Sequence, residues 1–129
     1  MIGYTTLGTN DIKRGAEFYD KIAAEMGTPR MMGSEDDGFI AWGTMAGSAI
    51  SIIKPFDGGA PSVGNGTMVA PQAKDAAKVK CIYDMAISMG GTCEGPPGPR
   101  GESGFYAAYF RDLDSHKLNA FCMAAEDAG

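Results

Sequence analysis

Ile2-Gly3-Tyr4-Thr5-Thr6-Leu7-Gly8-Thr9-Asn10-Asp11 decides how the rest of the chain reads. Its β-branched residues favour a buried strand over residues 2–9. Asn10 is a helix N-cap by residue type, and Asp11 suits the positive first turn. Ile12, Ala16, Tyr19, Ile22, Ala23 and Met26 then recur at helical spacing. A helix over residues 11–26 is predicted, stopped by Gly27. Three short strands follow near residues 30–34, 38–44 and 48–54. Glu35-Asp36-Asp37-Gly38 and Ala46-Gly47 supply the turns between them. Residues 55–63, rich in Gly and Pro, read as a linker.

The pattern then begins again. Residues 66–70 read as a strand, and Lys74-Asp75 opens a second helix. Its apolar stripe is Ala76, Val79, Ile82, Ala86 and Met89, closed by Gly90-Gly91. A strand near residues 92–94 precedes a loop, Gly95-Pro96-Pro97-Gly98-Pro99-Arg100-Gly101. Residues 105–111 and 117–123 are the last two strands, joined across Asp112-Leu113-Asp114-Ser115-His116. Strand, helix and three strands therefore occur twice. The expected fold is α+β: two βαβββ modules forming a curved mixed sheet with the helices outside. One domain over residues 1–129 is expected, with module one at about 1–54, the linker at 55–63 and module two at about 64–123.

A chain of 129 residues, 44% apolar and 21% charged, can bury a core without metal or disulfide help. The net charge is −5 and no basic block exists, so neither nucleic acid nor an anionic membrane is an expected partner. No apolar run approaches the roughly 20 residues that span a bilayer. The first residues lack a basic segment followed by an apolar one, so no signal peptide is expected. Cys81, Cys93 and Cys122 form no CxxC pair, which suggests reduced thiols in the cytoplasm.

His116 is the single histidine, so two histidines and a carboxylate cannot converge on a metal within one chain. Asp112 to His116 starts like a calcium loop but lacks its following Gly and late Glu, and reads as a hairpin turn. A lone turn histidine reads as solvated, with a general base as the sharper alternative. Cys122 reads as core, with a thiol–imidazole pair to His116 as the alternative. Gly64-Asn65-Gly66-Thr67-Met68-Val69 is not a dinucleotide fingerprint, because Val69 stands at the third glycine.

The order and spacing of several segments resemble the vicinal oxygen chelate superfamily, which contains glyoxalase I, bleomycin-resistance proteins and extradiol dioxygenases. The segments are Gly3 to Asp11 leading into Phe18-Tyr19, Gly64 to Ala70, Gly90-Gly91, Gly95 to Arg100, and Arg111 to Leu118. The small bacterial glyoxalase-like proteins are the nearest in pattern, over almost the whole chain. The resemblance implies four inward positions that carry His or Glu in metal-dependent members. They fall here on Tyr4, Ser51, Met68 and Asn119, with Thr67 one residue from the third. None is a good ligand for a hard divalent ion. A glyoxalase or dioxygenase mechanism would lack its Lewis acid, and neither a metal nor another cofactor is expected.

A ligand pocket of mixed lining is what these residues leave. Tyr4 and Asn119 offer directional hydrogen bonds, and Met68 adapts to apolar surface. Arg100 is a candidate for a ligand's carboxylate or phosphate, while Trp42 and Tyr109 are candidates for the wall. The expected function is metal-free binding of a small organic molecule by a homodimer. The alternatives are a lactoylglutathione lyase-like or dioxygenase-like enzyme, and a structural domain with a vestigial cavity.

Overall fold

The computed structural model describes residues 1–123. Residues 124–129, the end of the expected domain, lie outside them. The chain divides into two compact units, Met1–Asn65 and a second beginning at Gly66. Each is an open sheet with one helix against one face, and together they give an α+β fold.

The first unit runs β1 (Tyr4–Gly8), α1 (Ile12–Met26), β2 (Arg30–Ser34), β3 (Phe39–Gly43) and β4 (Ala49–Ile53). The sheet order is β1-β4-β3-β2, with β1 parallel to β4 and the other pairs antiparallel. The expected cap at Asn10 is corrected by one residue. The Asp11 carbonyl accepts the first helical bond, from the Gly15 N–H at 3.0 Å, and its carboxylate accepts from the Arg14 N–H at 3.1 Å. Thr9 Oγ1 in turn accepts the Asp11 N–H at 3.0 Å, holding the chain extended for one residue more. Gly27 ends the helix in the left-handed conformation, φ 71°.

Helix α1 buries Ile12, Ala16, Phe18, Tyr19, Ile22 and Ala23. A Cβ on Gly15 would stand 2.9 Å from Ile52 Cδ1, so glycine lets the helix approach β4. The Tyr19 ring lies 5.5 Å from that of Trp42. Cross-strand pairs Trp42↔Ile50 and Ile40↔Ile52 therefore form the face under α1, and Ala41↔Ser51 and Thr6↔Ser51 form the other face.

The second unit contains α2 (Ala76–Ser88), β5 (Thr92–Pro99), β6 (Phe105–Arg111) and β7 (Lys117–Met123), with sheet order β5-β6-β7. The strand expected over residues 66–70 is present only as two parallel bridges to β7, Val69↔Leu118 and Gln72↔Phe121. Its ladder runs from the Val69 N–H to the Lys117 carbonyl, from Asn119 N–H to Val69, from Phe121 N–H to Pro71, and from Ala73 N–H to Phe121. The rung between them would need an N–H on Pro71, which proline lacks. One imino acid thus breaks a strand that otherwise holds register.

The expected loop at residues 95–101 is also corrected: β5 continues to Pro99. Its register shifts between Cys93 and Gly95 and again between Gly95 and Gly98. Prolines are tolerated because β5 is an edge strand, with β6 on one side alone. Helix α2 starts at Asp75, whose carboxylate accepts the Lys78 N–H at 2.8 Å. It ends with Met89 as the cap, just before the glycine pair expected to stop it. Val79, Ile82 and Ala86 are its buried stripe, and the Tyr83 ring meets Phe110 at 6.4 Å.

Candidate functional site

The resemblance singles out four positions, Tyr4, Ser51, Met68 and Asn119. Each unit places its two on the sheet face turned away from its own helix. In the first unit Tyr4 pairs with Ala49, and Ser51 lies two residues further along β4. In the second, Val69 pairs with Leu118, so Met68 stands beside Lys117, and Asn119 lies two residues further along β7. The relation of Met68 to Asn119 thus repeats that of Tyr4 to Ser51, which a shift to Thr67 would not.

The four differ sharply in exposure. Ser51 is 0% exposed and Asn119 3%, whereas Tyr4 is 61% and Met68 41%. The Ser51 hydroxyl donates to the Thr5 carbonyl at 2.8 Å, tying β4 to β1, so toward a ligand it offers lone pairs alone. The Asn119 carbamoyl oxygen is buried with no hydrogen-bond partner among the described residues. None of the four suits a hard divalent ion: they are a phenol, a committed hydroxyl, a thioether and a neutral amide. Nor do three His, Cys, Asp or Glu side chains converge elsewhere among the described residues to hold one.

Tyr109 is the direct cross-strand neighbour of Asn119 and shares its face. Two cations meet its ring, Arg100 at 5.4 Å and Lys117 at 5.5 Å from the centroid. The Arg100 guanidinium, one residue beyond β5, folds back over that strand and donates to the carbonyls of Pro96 at 2.7 Å and Gly98 at 2.8 Å. A Cβ on Gly95 would lie 3.3 Å from its Nη2, so that glycine makes room for it. Arg111 on the same face donates from Nε to Glu94 at 2.8 Å, holding that carboxyl below its usual range.

Trp42 lies on the other face of its sheet, under α1. Its indole N–H donates to Asp20 Oδ1 at 2.8 Å. Asp20 also takes two bonds from Arg30, which reaches Glu35 as well. Trp42 is thus part of the helix-side packing and is not brought together with Ser51. His116 is corrected too: it is 6% exposed rather than solvated. The Asp112 carboxylate accepts the N–H groups of Asp114 and His116, both at 2.9 Å, which winds the β6–β7 turn inward. Cys122 stands six residues along β7, about 20 Å away at strand rise, so no thiol–imidazole pair forms. Lys117 escaped the sequence reading. Its signal was the period of two, which puts it on the face of Asn119.

No family model and no curated protein sequence matches the chain. Solved structures do. A glyoxalase/bleomycin resistance protein from Albidiferax ferrireducens T118 superposes with TM-score 0.84 and 28% identity over 95% of this chain and 98% of the other. A glyoxalase/bleomycin resistance protein/dioxygenase family enzyme from Burkholderia phytofirmans PsJN gives TM-score 0.73 at 17% identity, over 94% and 97%. A genomically encoded fosfomycin resistance protein from Listeria monocytogenes gives 0.70 at 18%, over 98% and 96%. The chain has the fold of the vicinal oxygen chelate superfamily, and its structural neighbours are glyoxalase/bleomycin resistance/dioxygenase proteins.

Proposed function

We propose that the chain is a metal-independent binding protein for a small organic molecule, with the helix-free sheet face of the second unit, which carries Asn119, as a binding surface. The unpartnered carbamoyl oxygen of Asn119 carries the proposal. A buried acceptor without a donor costs about 1–3 kcal/mol, and a ligand's O–H or N–H recovers it. The absence of hard-ion donors at the other three positions supports the same reading. So does a structural neighbour named as a glyoxalase/bleomycin resistance protein, at 28% identity. Tyr109, beside Asn119, adds aromatic surface.

The test is native mass spectrometry on protein purified from its host, with elemental analysis after dialysis. A retained organic molecule and well under one metal ion per chain are expected. Stoichiometric zinc, nickel or iron that Asn119→Ala releases would overturn the proposal.

The working unit in this proposal is a homodimer. Ile2, Tyr4 and Met45 in the first unit, and Met68 and Met123 in the second, are large exposed apolar side chains. A second copy would cover them. A reducing cytoplasm is the proposed location, in keeping with three cysteines that form no disulfide. No helix among the described residues is long and apolar enough to cross a membrane.

A further inference from the structure

Three cations share the Asn119 face of the second unit, in a chain whose net charge is −5. Two of them are committed. Arg111 is held by Glu94 at 2.8 Å and by the Ser115 carbonyl at 2.9 Å. Arg100 is held by carbonyls of β5, the strand just before it. Lys117 is not: its ammonium makes neither a hydrogen bond nor an ion pair with the described residues. Its ammonium rests 5.5 Å from the Tyr109 centroid, and its charge reaches Glu94, which Arg111 already holds.

Lys117 is also the direct cross-strand partner of Arg111. Like charges placed opposite each other on neighbouring strands repel. Among the described residues, Glu94 is the carboxylate that both cations reach. The register therefore leaves a surplus positive charge on half-buried surface, two residues from a buried acceptor that lacks a donor.

We infer that Lys117 and Asn119 form a recognition site for a small oxyacid that carries a hydroxyl or amino group. Lys117 takes the carboxylate or phosphate, and the Asn119 carbamoyl oxygen accepts from the neighbouring O–H or N–H. Their Cα atoms lie about 7 Å apart along one face of β7, a span that a few ligand atoms bridge. Tyr109 stands across from Asn119 and holds the lysine in place through its ring. Arg100, the cation that sequence alone singles out for an anion, serves instead to pin β5 beside that ring. The inference rests on the small-molecule reading and narrows its ligand.

Acetate, glycolate and inorganic phosphate are the probes, titrated at low ionic strength with backbone amide NMR shifts as the readout. Shifts at Tyr109 and residues 117–121 are expected. Lys117→Met should weaken all three anions by about tenfold, as losing a charge-assisted contact does. Arg100→Met should keep the parent affinity. Glycolate should bind the parent more tightly than acetate, and Asn119→Ala should erase that difference. If Asn119→Ala does not fold, the glycolate preference of the parent, set beside Lys117→Met, decides the matter. Anions that bind Lys117→Met as they bind the parent would overturn the inference, as would no shift with any probe. Failure of the anions with an uncharged molecule retained by the purified protein would sink this inference and leave the broader proposal standing. A stoichiometric metal lost on Asn119→Ala would sink the broader proposal itself.

Discussion

Arg30 donates to two carboxylates at once, Asp20 on α1 and Glu35 in the β2–β3 turn. Those bonds hold both carboxyls below their usual range, Glu35 at about 2. A carboxyl whose pKa is depressed by folding adds stability above its unfolded value, and that stability is lost as pH falls toward the folded value. Melting temperature should therefore fall as pH drops from the ordinary Glu value of 4.5 toward 2. In Arg30→Gln this part of the profile should flatten, because both carboxyls return toward ordinary values. Thermal unfolding across that window checks it, and an unchanged slope would refute the assigned cause. At this scale some of the candidate site was legible and some was not. Tyr4, Ser51, Met68 and Asn119 were picked out through the family resemblance, and the strand period and module repeat written in the chain kept their offsets consistent. That Arg100 spends its donors on Pro96 and Gly98 could not be read, since nothing local says where a long side chain will fold.

Elements were legible wherever a local signal and the tertiary environment agreed. Helix α1 and strand β2 follow from periodicity and punctuation. Boundaries shifted where a side chain competed for a backbone group, as Thr9 does for the Asp11 N–H. Two adjacent cap-type residues make the distinction measurable. Asp11→Ala should cost about 1 kcal/mol, the usual price of a lost N-cap. Asn10→Ala, at an exposed residue outside the helix, should stay within about 0.5 kcal/mol of the parent. Urea unfolding of both variants tests the assignment, and the reverse ranking would return the cap to Asn10. In the second unit the prolines decided against the expected elements in two ways. Pro71 removed one rung from a ladder and cut a strand into bridges. Pro96, Pro97 and Pro99 read as a loop, yet an edge strand asks for bonds on one side only and absorbed them with shifted register.

At the scale of the molecule, the homodimer proposed above makes one plain expectation. Light scattering at micromolar concentration should give twice the chain mass, and a single-chain mass would contradict it. The sequence by itself determined that strand–helix–three-strand order occurs twice, because apolar period, caps and turn residues are local properties. It also determined the chemistry of the four positions, since residue identity needs no coordinates. Tertiary structure alone decided which of those groups are committed. Ser51 gives its hydrogen to β1, Asn119 keeps a bare acceptor, and Lys117 is left with charge to spare beside Arg111. These outcomes depend on cross-strand register between segments far apart in the chain. Hydrogen-bond partners are chosen by that register, and no window of sequence contains it.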